Sequence, residues 1–270
     1  MNSAELLEAL AGLARQAGAL VMAVYATDFA VRGKGDASPV TEADERAETL
    51  ILAGLAALTP AVPVVAEESV AAGRVPDVSG GRFWLVDPLD GTREFVGRNG
   101  EFTVNIALIE HGLPVLGVVF APALGGPAGR LYAGAAGRGA WLEDGQGRRA
   151  IRCRAVPAEG LTVVASRSHG DAQALQDFLA GRKVARLVNA GSSLKLCLIA
   201  AGEADLYPRH GRTMEWDIAA GHAVLAAAGG QVLALPDQRS LAYGKAGFEN
   251  PHFFASGLVA VAAGPEPIKP

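Results

Sequence analysis

Two aspartates separated by a proline-leucine pair are the residues of this sequence best suited to chemistry. The apolar strand predicted over Phe83–Asp87 delivers Asp87 at its end, and the ring of Pro88 fixes the backbone φ angle that follows. The turn can then direct the Leu89 carbonyl between the carboxylates of Asp87 and Asp90. Two carboxylates and a carbonyl are hard oxygen ligands of the kind that Mg²⁺ prefers. Taken alone, the same residues fit equally well a strand that ends in an Asx turn.

Further carboxylates occur where predicted strands and helices begin or end. Glu67 and Glu68 end the strand before this motif, and adjacent strand residues point to opposite faces, so one can bind a cation while the other supports it. Asp217 lies at the start of a predicted helix and Asp44 lies early in another, where an aspartate is more often a cap. So many carboxylates around one pocket are costly without cations. Two Mg²⁺ ions would supply the missing charge and attract a phosphate.

Composition limits the classes of protein that can carry such a site. The chain has 270 residues, of which 50% are hydrophobic and 19% are charged, and its net charge is −4. These values exclude disorder and coiled coil, and the sequence has no basic excess or stripe that would favour nucleic-acid binding. Cys153 and Cys197 are too few for a disulfide framework and indicate buried thiols in a reducing cytoplasm.

The sequence also argues against a membrane span and a secretory signal. The longest uncharged stretch, 111–129, contains five glycines and three prolines, which break a spanning helix. The N-terminus carries Glu5 and Glu8 and lacks the basic head and apolar middle of a signal peptide. We therefore expect no transmembrane segment.

The elements that position these residues fall into two parts. Helical spacing of apolar residues predicts helices over Ser3–Tyr25 and Glu42–Leu58. A meander of short strands is predicted next, at Val62–Ala66, Phe83–Asp87, Thr103–Glu110, Val115–Ala121, Leu131–Ala133, Ala140–Leu142 and Ala150–Cys153. After a composition shift near 154–160, the alternating elements are strands Leu161–Ser166, Val184–Val188, Ala204–Tyr207, Gln231–Leu235 and Leu258–Ala262, and helices Asp171–Ala180, Leu194–Ala201 and Ile218–Ala228.

The division predicts two structural halves. Residues 1–155 form an N-terminal α+β half, an antiparallel sheet with helices, which carries most of the metal ligands. Residues 156–270 form a C-terminal α/β half that carries Asp217 and the substrate contacts.

Three segments taken in order resemble one known family. They are Glu67-Glu68, Asp87-Pro88-Leu89-Asp90-Gly91-Thr92 and Trp216-Asp217. This order resembles the inositol monophosphatase superfamily of Mg²⁺-dependent, lithium-sensitive phosphatases. Segments 93–107, 166–169, 191–195 and 219–223 look most like the bacterial CysQ-type 3'(2'),5'-bisphosphate nucleotidases within it. The resemblance covers nearly the whole chain and implies a layered α/β/α/β/α sandwich with the site between its halves.

The resemblance also implies roles for individual residues. The implied ligands of two or three Mg²⁺ ions are Glu67, Asp87, the Leu89 carbonyl, Asp90 and Asp217. The residues implied to orient and deprotonate the attacking water are Asp44, Glu68 and Thr92, with Thr92 hydrogen-bonded to Asp44. The implied substrate contacts are Gly91, Thr92, His169, Ser192, Lys195 and Arg209.

The implied reaction is removal of the 3'-phosphate from adenosine 3',5'-bisphosphate, giving AMP and phosphate, in connection with sulfate assimilation. 3'-Phosphoadenylyl sulfate is a related substrate. One alternative is an inositol monophosphatase or fructose-1,6-bisphosphatase of the same superfamily, and another is a non-catalytic phosphometabolite sensor. We expect a cytoplasmic protein whose partner is a small phosphate ester and not a nucleic acid. A homodimer and peripheral association with the inner face of the membrane are left open.

Overall fold

Two long helices at the start of the chain begin at polar caps. In a computed structural model, which describes residues 1–33, 39–167 and 171–258, α1 spans Ser3–Tyr25 and α2 spans Glu42–Leu58. Both match the predicted bounds. The Asn2 side chain accepts hydrogen bonds from the first turn of α1, and Thr41 caps α2 in the same way. Among the described residues, α1 alone is long and apolar enough to cross a bilayer, but half of that stretch is buried inside the protein.

The first half of the chain forms a seven-stranded sheet. A short pair, β1 (Arg32–Gly33) and β2 (Pro39–Val40), precedes it. The strands, in spatial order, are β3 (Val64–Ala66), β4 (Arg82–Asp90), β5 (Thr103–Glu110), β6 (Leu113–Ala121), β7 (Arg130–Ala135), β8 (Gly139–Asp144) and β9 (Gly147–Ile151). Neighbouring strands are antiparallel except β3 and β4, which are parallel. Two short helices, α3 (Glu67–Ala71) and α4 (Thr92–Val96), follow β3 and β4.

The second half forms a five-stranded mixed sheet. Its strands are β10 (Leu161–Ser166), β11 (Val184–Ala190), β12 (Leu206–Arg209), β13 (Gln231–Ala234) and β14 (Phe253–Ser256), in the spatial order β11-β10-β12-β14-β13. Its helices are α5 (Ala172–Leu179), α6 (Leu194–Ala200) and α7 (Glu215–Ala227), followed by a 3₁₀ turn at Ala246–Phe248.

Strand alternation divides the apolar residues among three cores and so produces five layers. Along β4, Trp84 packs in the core shared with α1 and α2, whereas Phe83 packs in the core shared with α6 and α7. Along β12, Tyr207 joins that central core and Leu206 joins a third core against α5. The predicted α/β/α/β/α sandwich is confirmed. The central core contains residues from both sides of the proposed boundary at 155, and that boundary remains a proposal.

Helix α7 lies directly on the seven-stranded sheet because two strand glycines leave room for it. A Cβ atom at Gly117 would lie 2.4 Å from the Ala220 carbonyl oxygen, and one at Gly134 would lie 2.9 Å from the Val224 Cα. The close approach brings the start of α7, with Asp217, to the layer that carries β4.

Several predicted bounds are wrong. Glu67 and Glu68 begin α3 and do not end a strand, so helical geometry and not strand alternation separates their side chains. Strand β14 is absent from the predictions, which placed a last strand at Leu258–Ala262 instead; Leu258 lies in a bend and the rest lies outside the described residues. The predicted strand Ala150–Cys153 is Gly147–Ile151, because β9 begins directly after a tight turn from β8.

Candidate active site

A cavity of about 510 Å³ lies at the ends of β4 and β12, beside the starts of α6 and α7. Its walls come from both halves of the chain. Eight of the predicted site residues line it: Glu67, Asp90, Gly91, Thr92, Ser192, Lys195, Arg209 and Asp217.

The aspartate motif forms a bulge in the last residues of β4, which continues to Asp90 and does not end at Asp87 as predicted. The pairing of β4 with β5 is irregular between Asp87 and Asp90, which frees the backbone to turn. The Leu89 amide donates to Asp87 Oδ1 at 3.0 Å, so the Asx turn is present within the motif. Gly91 then adopts a left-handed φ of 90°, and α4 begins at Thr92, whose hydroxyl donates to the Leu89 carbonyl at 3.3 Å.

Two further carboxylates approach this turn from other elements. The Glu67 side chain, from the first residue of α3, lies near enough to Asp87 to raise the pKa of that carboxyl. Asp217 lies in the first turn of α7, where its Oδ2 accepts a hydrogen bond from the Met214 amide at 2.8 Å. Asp217 is therefore a helix cap that also lines the cavity, and its role as a metal ligand remains a prediction.

Without a bound cation, burial and mutual repulsion disfavour the ionised form of these carboxylates. Burial raises the pKa of Asp87 well above its usual range, and the nearby Glu67, Asp90 and Asp217 raise it further. The pKa of Asp217 is raised for the same reasons. Burial lifts the pKa of Asp90 to about 6, although Lys195 and the Ser193 amide act in the opposite direction. A divalent cation among these groups would stabilise their ionised forms.

The donor set fits Mg²⁺ by chemistry. Among the residues that the structure describes, no three His, Cys, Asp or Glu side chains converge as a formed cation site. The residues fit Mg²⁺ because they offer oxygen ligands only. Their carboxylates are also buried close enough to repel one another. A cation would relieve that repulsion by drawing the carboxylate oxygens together.

Lys195 and Arg209 form a cationic wall of the same cavity, beside the carboxylates. Lys195 is buried on α6, where its Nζ donates to the Ser192 carbonyl at 2.5 Å and lies 5.4 Å from the centre of the Tyr207 ring. Burial, together with the charge of Arg209, lowers the pKa of Lys195 to about 8, against the opposing effect of Asp90. Arg209 is 7% exposed and donates to the Arg212 carbonyl at 2.9 Å.

Ser192 adds an unsatisfied polar atom to this wall. It has a left-handed φ of 43°, and its hydroxyl is buried with no hydrogen-bond partner among the described residues. A buried polar group of this kind costs free energy unless a ligand or water satisfies it. The hydroxyl is therefore suited to bind a polar ligand in the cavity.

Five predicted site residues are not among the described residues that line the cavity: Asp87 and Leu89 are buried within the aspartate motif, and the others are Asp44, Glu68 and His169. Asp44 is buried in the first turn of α2, where its Oδ2 accepts hydrogen bonds from the amide and the hydroxyl of Thr41. The Glu68 amide donates to Glu48 at 2.7 Å, and the roles predicted for Asp44 and Glu68 remain predictions. His169 lies outside the described residues.

Sequence reasoning missed several residues of the cavity. Ser166, Tyr207, Arg212 and Glu94 line it, although Arg212 reads in the sequence as a surface charge. Arg212 is largely exposed and also pairs with Glu249, so it lies at the rim. Glu94 follows the aspartate motif closely, on α4, whereas no spacing rule links Ser166, Tyr207 and Arg212 to the motif and only the fold brings them together.

This chain is similar to known proteins over nearly its whole length. A family model described as the inositol monophosphatase family matches residues 2–266. The 3'(2'),5'-bisphosphate nucleotidase CysQ of Escherichia coli K12 is 50% identical over 229 residues, which cover 84% of this chain and 89% of that protein. An inositol-1-monophosphatase of Mycobacterium bovis is 33% identical over 248 residues, covering 88% and 78%.

Solved structures agree with the fold. The crystal structure of CysQ from Bacteroides thetaiotaomicron, described as a bacterial member of the inositol monophosphatase family, superposes with a TM-score of 0.77. The two chains share 34% identity, and the match covers 93% of this chain and 97% of that one.

Proposed function

The chain belongs to the inositol monophosphatase family, and from this premise we propose that it is a Mg²⁺-dependent phosphatase that acts on bisphosphate nucleotides. The proposed reaction is hydrolysis of the 3'-phosphate of adenosine 3',5'-bisphosphate, or of 3'-phosphoadenylyl sulfate, in support of sulfate assimilation. One observation carries the proposal: a single cavity whose lining combines carboxylates with buried Lys195, Arg209 and an unsatisfied Ser192 hydroxyl. The 50% identity to a CysQ nucleotidase points to the same substrate class.

The carboxylate wall would hold the metal ions. Bound Mg²⁺ would supply positive charge for the reacting phosphate and lower the pKa of the attacking water. We assign its ligands as Glu67, Asp87, the Leu89 carbonyl, Asp90 and Asp217. Thr92, Glu68 and Asp44 would orient the water and accept its proton, and the backbone at Gly91 and Thr92 would receive the scissile phosphate.

The cationic wall would hold the second phosphate. Charge-assisted hydrogen bonds from lysine and arginine suit a phosphate. Ser192 would donate its hydroxyl to the substrate, and His169 is assigned to the nucleotide. Positioning and charge stabilisation would then provide most of the rate, since this mechanism needs no protein nucleophile.

A panel of phosphate esters tests the proposal. The kcat/KM for phosphate release is measured with adenosine 3',5'-bisphosphate, inositol 1-phosphate and fructose 1,6-bisphosphate, in Mg²⁺ and in a chelator. We expect adenosine 3',5'-bisphosphate to be favoured over inositol 1-phosphate by about tenfold or more, because only the former has a second phosphate and a charged hydrogen bond to it is worth about 1.5–3 kcal/mol. A higher kcat/KM for inositol 1-phosphate would favour the alternative phosphatase. Binding without phosphate release from any ester would favour a sensor.

The variant Lys195→Ala tests the second-phosphate contact. It should lower kcat/KM for adenosine 3',5'-bisphosphate by about tenfold or more and affect inositol 1-phosphate much less, since only the bisphosphate has a second phosphate for Lys195 to bind. Lys183→Ala, which removes an exposed lysine, serves as the control. Equal losses on both esters would contradict the assignment.

A further inference from the structure

One buried serine connects two aspartates that the chain supplies from different halves. The Ser193 amide donates to Asp90 Oδ2 at 2.6 Å, and the Ser193 hydroxyl donates to the Asp217 backbone carbonyl. Asn105, on β5, donates from its Nδ2 to the Ser193 hydroxyl at 3.0 Å and lies 3.4 Å from the same Asp90 oxygen. The four residues therefore form one hydrogen-bonded chain from β4 and β5 to the start of α7.

Burial makes this chain of hydrogen bonds difficult to replace with water. Asn105 is 0% exposed and Ser193 is 2% exposed. In a buried position, a lost donor leaves its acceptor unsatisfied, and that costs more than the bond itself contributes. The Ser193 hydroxyl is a donor to one half of the molecule and an acceptor from the other. Its two bonds therefore fix the distance between β5 and the first turn of α7.

The arrangement also orients the Asp90 carboxylate. Both hydrogen bonds to Asp90 fall on Oδ2, so a cation would use Oδ1. Asp217 likewise uses Oδ2 to cap its own helix. Fixing one oxygen of each carboxylate leaves the other with a defined position, as hydrogen-bonding partners of metal ligands do in metalloproteins.

We propose that Ser193 and Asn105 are positioning residues that hold Asp90 and Asp217 at the separation required for divalent-cation binding. The inference rests on the proposed function, because it assigns Asp90 and Asp217 to the cation. Neither Ser193 nor Asn105 needs to touch the substrate or the reacting atoms for this role. Their loss should weaken cation affinity first, and activity only through it.

Calorimetric titration of the full chain with Mn²⁺, without substrate, tests the inference. Ser193→Ala keeps the backbone amide bonded to Asp90 but removes the hydroxyl between Asn105 and Asp217. We expect the Kd for Mn²⁺ to rise about ten- to a hundredfold, the range typical for partners of metal ligands. Asn105→Ala carries the same prediction, so one variant decides the matter if the other fails to fold.

A matched control separates positioning from a general loss of packing. Ser256, on β14, is as buried as Ser193, and its hydroxyl contacts Gln231 outside the cavity. Ser256→Ala should leave the Kd for Mn²⁺ unchanged. The double variant of Ser193 and Asn105 should lose no more Mn²⁺ affinity than the single variant that has the larger loss. The two losses do not add because both residues act through one chain of hydrogen bonds.

The outcomes distinguish this inference from the proposed function. A wild-type chain that binds no Mn²⁺ would contradict both. A wild-type chain that binds Mn²⁺, together with Ser193→Ala and Asn105→Ala variants that bind it within twofold of the same Kd, would overturn the positioning role alone.

Discussion

The buried carboxylates of this site destabilise the folded protein when no cation is bound. Asp87 is buried beside Glu67, Asp90 and Asp217, which raises its pKa and disfavours its charge. Asp87→Asn removes one like charge and retains an oxygen that can accept from the Leu89 amide. At pH 7 and without metal, we expect the free energy of unfolding of the variant to exceed that of the wild type by about 1 kcal/mol or more. Such gains are common where function opposes stability.

Denaturant unfolding of both proteins in a chelator checks this expectation. Asp177→Asn, at an exposed carboxylate on α5, provides the control and should show no gain. A metal-free Asp87→Asn protein less stable than wild type would show that the repulsion is not a significant cost.

A buried histidine away from the cavity makes the stability of the folded protein depend on pH. His222, on α7, is buried and its Nδ1 lies 2.9 Å from the Tyr243 hydroxyl. Burial lowers its pKa to about 4 in the folded protein, from 6.5 in the unfolded chain. The unfolded state then binds the extra proton, so this residue's contribution to stability is lost as the pH falls from about 6.5 to about 4.

The difference in unfolding free energy between wild type and His222→Gln isolates this effect. The advantage of the wild type over the variant should shrink by more than 1 kcal/mol between pH 7 and pH 4, since one pKa unit corresponds to about 1.4 kcal/mol. A difference that stays constant across this range would show that His222 protonates normally in the fold.

Among the elements, the start of α7 is held by the loop that follows β13. Glu215 is fully buried, pairs with Lys245 at 2.6 Å and accepts from the amides of Gly244 and Lys245. Asn250 in the same loop donates to the Met214 carbonyl at 2.8 Å. The loop thus fixes the residues that precede α7 and line the cavity.

Removing Glu215 should release this loop. Glu215→Ala removes the acceptor of the Gly244 and Lys245 amides and the ion pair with Lys245, and we expect a loss of about 3 kcal/mol in unfolding free energy, measured by denaturant titration. Asp237→Asn, which removes an exposed pairing with Arg239, should cost less than about 0.5 kcal/mol. Equal losses in the two variants would contradict the anchoring role.

Elements with a strong local pattern could be predicted from sequence, and those fixed by tertiary pairing could not. The capped, amphipathic α1 and α2 and the alternating β5 and β10 have the predicted bounds. Strand β14 is short, and it becomes a strand by pairing with β12 and β13 on either side. Helix α3 is only five residues long and carries no apolar period that could distinguish it from a strand end.

At the scale of the whole molecule, the site depends on how closely α7 approaches the seven-stranded sheet. Gly117→Ala would place a Cβ 2.4 Å from the Ala220 carbonyl oxygen, so backbone must move. We expect a loss of about 1–3 kcal/mol in unfolding free energy and a weaker affinity for Mn²⁺, because Asp217 moves with the helix.

Gly12→Ala provides the matched control. Gly12 lies within α1, and a Cβ there would meet no atom within 4 Å. The substitution should raise the free energy of unfolding by about 0.5–1 kcal/mol through helix propensity, and leave Mn²⁺ affinity unchanged. Similar destabilisation in both variants would mean that the close packing of α7 is not what Gly117 provides.

The candidate site was predictable where its residues are contiguous in the chain. The segment from Asp87 to Thr92 contains two carboxylates and a carbonyl within six residues, which indicates a cation site by itself. The Trp216-Asp217 pair indicates a further carboxylate at the start of α7. Ser193 and Asn105 could not be found that way, since their role exists only where β5, the start of α6 and α7 meet.

Phosphate release by Asp87→Asn tests the central claim most directly. With adenosine 3',5'-bisphosphate and saturating Mg²⁺, we predict that kcat falls at least about a hundredfold below wild type, as loss of one charge-stabilising group typically causes. Retention of kcat within about threefold of wild type would contradict the claim that these carboxylates bind the catalytic cation.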